Sequence, residues 1–128
     1  MSLVTPLSRV LGLGSAKDGV QHWWVQRLSA VALAFLGLWL IFAFVGLEDL
    51  SYATVVGWIR SPLNSILMIL TLSTMGYHSQ LGVQMVIEDY VHAVTLKVSA
   101  LILMTFAHIG IVVAGVFGVL KISFGVPG

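Results

Sequence analysis

Three stretches of this chain carry no Asp, Glu, Lys or Arg: 28–47, 61–87 and 98–120. At about 1.5 Å of rise per helical residue, each is long enough to cross roughly 30 Å of hydrocarbon. Between them the polar residues bunch, first from Glu48-Asp49 to Arg60-Ser61-Pro62 and then from Glu88-Asp89-Tyr90 to His92. This alternation predicts an all-α integral membrane protein with spans over 25–47, 62–87 and 96–121. The connections fall at 48–61 and 88–95, and a short tail at 122–128. Within the third span Gly110, Gly115 and Gly118 suit close helix packing, because a missing side chain lets backbones approach.

The flanks carry the signatures of the two membrane interfaces. In 1–24, Leu3, Leu7, Val10 and Leu11 fall on one helix face with Pro6 in the first turn, which predicts a short helix lying on the membrane surface. The segment lacks the charged start, apolar centre and small-residue cleavage site of a signal peptide. Gly12, Gly14 and Gly19 are expected to break the chain before Gln21-His22-Trp23-Trp24, whose paired indoles suit the headgroup layer. Tyr52 and Trp58 suit the opposite interface, and Pro62 fits the first turn of the second span. An N-terminus inside the cell puts Arg9, Lys17, Arg27 and Lys97 in the cytoplasm and leaves Arg60 and Lys121 outside. That bias selects a cytoplasmic 1–24 and 88–95, and a periplasmic 48–61 and 122–128.

Composition narrows the class. With 59% hydrophobic and 9% charged residues among 128, and a mean hydropathy of +1.04, the chain is not a soluble domain. It has no cysteine, so thiolate catalysis and cysteine-held iron–sulfur or zinc sites are excluded on this chain. Six scattered basic residues and a net charge of +1 exclude a nucleic-acid footprint. Three spans leave little room for a closed site, so a partner within the membrane lipid is expected.

The chemistry concentrates between His78 and Tyr90. On a helix His78 and Asp89 share a face about 16 Å apart, and Gly82, one turn after His78, leaves space for a flat ligand or another helix. Thr71, Thr74, Met75 and Met85 fall on the same small or polar face, which argues against lipid contact. A neutral imidazole inside a span is a candidate iron ligand, or it hydrogen-bonds a serine or carbonyl across a helix pair. Arg27, at the mouth of the first span with Ser29, either snorkels to lipid phosphate or pairs with an anionic group of a cofactor. Tyr90 is an aromatic-belt residue or, oriented by Asp89, a phenol that donates to a carbonyl ligand. His108, with Thr105 one turn away, reads as a packing histidine, and His22 and His92 as hydrated ones.

The pattern His-x3-Gly-x6-Asp-Tyr at His78, Gly82 and Asp89-Tyr90 resembles the D-type hydrophobic membrane anchor of succinate dehydrogenase, respiratory complex II. The resemblance extends upstream to Gly12-Leu13-Gly14-Ser15-Ala16-Lys17 and to His22-Trp23-Trp24-Val25-Gln26-Arg27-Leu28-Ser29-Ala30, as in alphaproteobacterial-type members. It implies a subunit of an enzyme of the tricarboxylic acid cycle and respiratory electron transport, in the bacterial inner membrane, with no dehydrogenase site of its own. It implies a haem b shared with a C-type anchor subunit, His78 being this chain's axial ligand to the haem iron and Gly82 its neighbour. Arg27, with His22 beside it, then falls near the haem propionates. Tyr90 and Asp89 become the ubiquinone-site phenol and its acidic neighbour, and the flavoprotein and iron–sulfur subunits become partners. Two other readings are the anchor of a fumarate reductase, and a haem-free three-span transporter or assembly protein in which His78 and Asp89 relay protons.

A reporter fused after Gly128 is expected to read as periplasmic, and one fused after Asp89 as cytoplasmic. The reverse pattern would overturn the orientation derived from the basic residues.

Overall fold

The computed structural model describes residues 16–125, and within them every regular element is a helix. They are α1 (Ala16–Val45), α2 (Tyr52–Arg60), α3 (Pro62–Tyr90) and α4 (Val94–Ser123). The surface helix expected in 1–15, with its Leu3, Leu7, Val10 and Leu11 face and the Gly12 and Gly14 break, lies outside the described residues. Gly19 does not break the chain, because α1 runs through it and makes His22-Trp23-Trp24 part of the same rod as the first span.

Two helices, Val20–Val45 and Val94–Ser123, are long and apolar enough to cross a membrane, and α2 with α3 makes a third candidate bent by 93°. α3 is less apolar than its neighbours because Ser73, Thr74, His78, Ser79, Gln80 and Gln84 all lie within it. The connection expected over 48–61 contains α2. Ser51 caps it, its hydroxyl accepting a hydrogen bond from the Thr54 amide at 3.4 Å. Hydrogen bonds from Thr54 and Ser51 hold the Asp49 carboxyl below its usual pKa. Trp58 of α2 stacks on Trp39 of α1 at 5.7 Å and meets Phe44 at 5.3 Å, which pins this corner to the end of the first span.

Pro62 opens α3 immediately after the bend. There the Asn64 amide donates to the Trp58 carbonyl at 2.9 Å, and the buried Ser65 hydroxyl reaches the Ile59 carbonyl and the Ser123 hydroxyl. At its other end α3 continues to Tyr90, so Asp89 and Tyr90 occupy a last helical turn instead of a loop. Lys97 closes that end by donating to the Glu88 carbonyl at 2.8 Å, a cation serving a helix C-terminus. α4 stops at Gly125, whose φ of 66° is the left-handed conformation that favours glycine.

The long helices form a row, not a closed bundle: α3 stands between α1 and α4, and among the described residues those two do not meet. The α3–α4 contact is the tightest, because Gly76 lies directly under Val112 and Gly115 under Leu72. Of the three glycines expected to pack closely, Gly115 does so, while Gly110 and Gly118 have no other side chain or distant backbone within 4 Å. Gly76, in the middle of α3, supplies the closest approach instead.

A Cβ at Gly76 overlaps the Val112 side chain, and valine is stiff about χ1, so the helices must part. Gly76→Leu is therefore expected to destabilise the protein in detergent by about 1–3 kcal/mol. The milder Gly76→Ala should be offset in the double variant with Val112→Ala. Strict additivity of the two single changes in a denaturation titration would refute this contact.

Candidate functional site

Successive turns of α1 bring His22, Gln26, Ser29 and Ala30 to one face, and that face meets α3 at His78, Leu81 and Met85. His78 is held from both sides of its ring. Its Nδ1 is 2.9 Å from the Ser29 hydroxyl, and its Nε2 is 3.5 Å from the amide nitrogen of Gln26. Ser29 also donates to the Gln26 carbonyl at 3.0 Å, one turn back along its own helix. Two polar atoms beside this network, His22 Nε2 and Gln26 Oε1, are buried with no hydrogen-bond partner among the described residues. An unpartnered buried polar atom costs about 1–3 kcal/mol, so a pair of them beside one cleft calls for an occupant that satisfies them.

The cleft has a volume of about 790 Å³, open on one side, and includes His78, His22, Arg27, Gln26, Gln84 and Glu88 in its walls. That volume is within the usual range for small-molecule and cofactor sites. Of the residues singled out in the sequence, His78, Arg27 and His22 thus come together. Arg27 lies over the Trp23 ring, 5.4 Å from its centroid, which holds the guanidinium near the mouth. Gly82 faces α1, where an added Cβ meets the Gln26 amide at 3.8 Å, so it serves the approach of the two helices.

Asp89 and Tyr90 are not among the cleft's walls. They sit just past them at the end of α3, both exposed, Tyr90 at 77%. No hydrogen bond joins the Asp89 carboxylate to the Tyr90 hydroxyl. The acid that does line the cleft is Glu88, which accepts a 2.7 Å hydrogen bond from the Gln84 amide. Reading the sequence missed Gln26, Gln84 and Glu88. The signal available was spacing: Gln26 falls one turn after His22, and Gln84 and Glu88 are a turn apart below His78.

His108 is satisfied by different partners from the Thr105 expected of it. Its Nδ1 donates to the Met104 carbonyl at 2.9 Å, and its Nε2 lies 3.2 Å from the Ser79 hydroxyl, on the α4 side of α3. His92 Nδ1 meets the Tyr90 carbonyl at 3.0 Å.

Among the described residues no three His, Cys, Asp or Glu side chains group as a metal site. A single imidazole does not hold a free ion, but it completes the coordination of iron already carried by a porphyrin. A haem therefore fits what this cleft offers: one ring nitrogen facing an amide, a guanidinium at the mouth, and buried His22 and Gln26 atoms lacking partners.

Comparison with known proteins agrees in kind. The family of succinate dehydrogenase/fumarate reductase transmembrane subunits matches residues 1–120. A succinate dehydrogenase hydrophobic membrane anchor subunit of Rickettsia bellii is 32% identical over 106 residues, 83% of this chain and 85% of the relative. The subunit of the same name from Rickettsia typhi is 33% identical over 78% of this chain and 80% of its own length. That of Paracoccus denitrificans is 26% identical over 98% and 96%. With a family match over nearly its whole length and relatives of this identity, the chain belongs to the succinate dehydrogenase/fumarate reductase transmembrane subunit family.

Proposed function

We propose that this chain is the hydrophobic membrane anchor of a succinate:ubiquinone oxidoreductase, crossing the bacterial inner membrane three times with its N-terminus in the cytoplasm. In this reading it shares a b-type haem with a C-type anchor, forms part of a ubiquinone site, and docks the iron–sulfur and flavoprotein subunits to the bilayer. One observation carries it: His78 lies between two helices beside a cleft whose His22 and Gln26 atoms are buried without partners. The relatives named above favour succinate oxidation over the fumarate reductase alternative, although the family includes both.

When bound, the haem supplies a reversible one-electron centre near the quinone. The residues of this chain act around it. His78 would offer a ring nitrogen to the iron, and Arg27 would offer a guanidinium that matches a propionate carboxylate. Electrons reach ubiquinone from the iron–sulfur partner, and two protons must arrive with them. Tyr90, exposed at the rim, donates its hydroxyl to a quinone carbonyl, and Asp89 beside it offers a carboxylate that relays protons from the aqueous surface. Arg27 and Lys97 lie toward the end of the molecule that carries Glu88, and Arg60 and Lys121 toward the other, which supports the orientation derived from charge.

His78→Ala is expected to remove or strongly weaken the b-type absorption band while the chain still inserts. His108→Leu should keep the band, because its ring nitrogens serve Met104 and Ser79. An unchanged spectrum in the first variant, or its loss in the second at normal complex yield, would contradict these roles.

Tyr90→Phe deletes one donor and keeps the ring. Losing a donor at a water-excluded site costs roughly 10²–10³ in rate, and the exposed rim puts the expectation at the low end or below. Succinate-to-quinone activity should fall, while succinate oxidation by a dye that draws electrons from the soluble subunits stays near normal. Quinone reduction at the parental rate would leave Tyr90 as an interfacial anchor only.

A further inference from the structure

We propose that Ser29 is the positioning residue for His78: its hydroxyl fixes the imidazole as the Nδ1–H tautomer and so leaves the Nε2 lone pair free to bind iron. The inference rests on the haem reading and adds a residue on a different helix from the His-x3-Gly-x6-Asp-Tyr motif.

A count of protons fixes the tautomer. A serine hydroxyl has one, and Ser29 spends it on the Gln26 carbonyl at 3.0 Å. Its remaining capacity is to accept, so the 2.9 Å contact to His78 Nδ1 has the ring donating. On the far side of the ring the amide nitrogen of Gln26, a donor, faces His78 Nε2 at 3.5 Å, the far limit of a hydrogen bond, which is compatible with a lone pair there. The Ser29 contact therefore selects the tautomer, and the Gln26 contact is consistent with it.

Burial gives the pair its weight. Ser29 is 7% exposed, the only buried polar residue of α1 among those whose side chains are described, so water does not compete for its oxygen. A serine that merely bonded its own helix would satisfy its proton equally well facing lipid; this one is turned into the α1–α3 contact and touches the imidazole. A hydrogen bond from the distal ring N–H orients a histidine ligand and raises its basicity, and losing one typically costs roughly 10–100-fold in metal affinity or activity. A stronger nitrogen donor favours the oxidised iron, so the same loss moves the haem potential upward.

The test uses the complete complex in its membrane. Ser29→Thr and Ser29→Val form a near-isosteric pair differing in the hydroxyl, and Ser29→Ala and His78→Ala complete the set. Haem per assembled complex, its retention through a detergent wash, and its midpoint potential by redox titration are measured in each. Ser29→Thr should match the parent, whereas Ser29→Val and Ser29→Ala should hold haem roughly 10–100-fold more weakly at a higher potential. Should the alanine variant assemble poorly, the threonine and valine variants are compared on the haem that each assembled complex retains. Equal potential and equal retention in those two, with the band lost in His78→Ala, overturn the role of Ser29 and leave the haem reading standing. A band that survives His78→Ala overturns both.

Discussion

Hydrocarbon offers no hydrogen bonds, so every polar side chain inside a span must find its partner within the protein or its ligands. The arrangement of this chain follows from that constraint. α3 is the most polar of the long helices, and it is the one placed in the middle, with α1 on one side and α4 on the other. His78 turns to Ser29 and Gln26 of α1, while Ser79, the next residue, turns to His108 of α4. The two adjacent polar positions thus tie the central helix to both neighbours at nearly the same depth. Elsewhere the contacts are made by small residues, Gly76 against Val112 and Gly115 against Leu72, where dispersion at short range holds helices that lipid cannot drive together.

The two histidine pairs show how similar chemistry can serve different ends. His108 bonds a carbonyl and a hydroxyl, and both nitrogens are occupied. His78 has a short contact at Nδ1 only; the 3.5 Å separation at Nε2 is at the far limit of a hydrogen bond, and the atoms left over lie in the same cleft. The difference between the two histidines is one weakly held ring nitrogen.

Much of this was legible in the sequence. Runs without charge give all-helical spans directly, because length and apolarity are the whole physical requirement for crossing a bilayer. His78, Arg27 and His22, which line one cleft, were legible as candidates, from polarity where none is expected and from the resemblance around them. Three features were not. The helix α2 holds four β-branched residues and a glycine among its nine, and its cap at Ser51 is a local signal easily lost beside the stronger charge pattern. The close approach at Gly76 depends on which face of α3 meets Val112, a matter of helix rotation that spacing alone leaves open. Gln26 and Gln84 are neutral amides whose importance comes only from facing a histidine on another element or an acid one turn away.

The row arrangement divides the molecule mechanically. α3 and α4 are locked by a glycine lying under a valine, a contact that cannot slide without a side chain changing rotamer. α1 is held to α3 along the cleft by a serine, a glutamine and small residues, and at its far end to α2 by the stacking of Trp39 on Trp58. Because α4 does not reach around to α1, among the described residues only α1 and α3 line the cleft, and whatever fills it keeps one side that this chain's other helices do not cover.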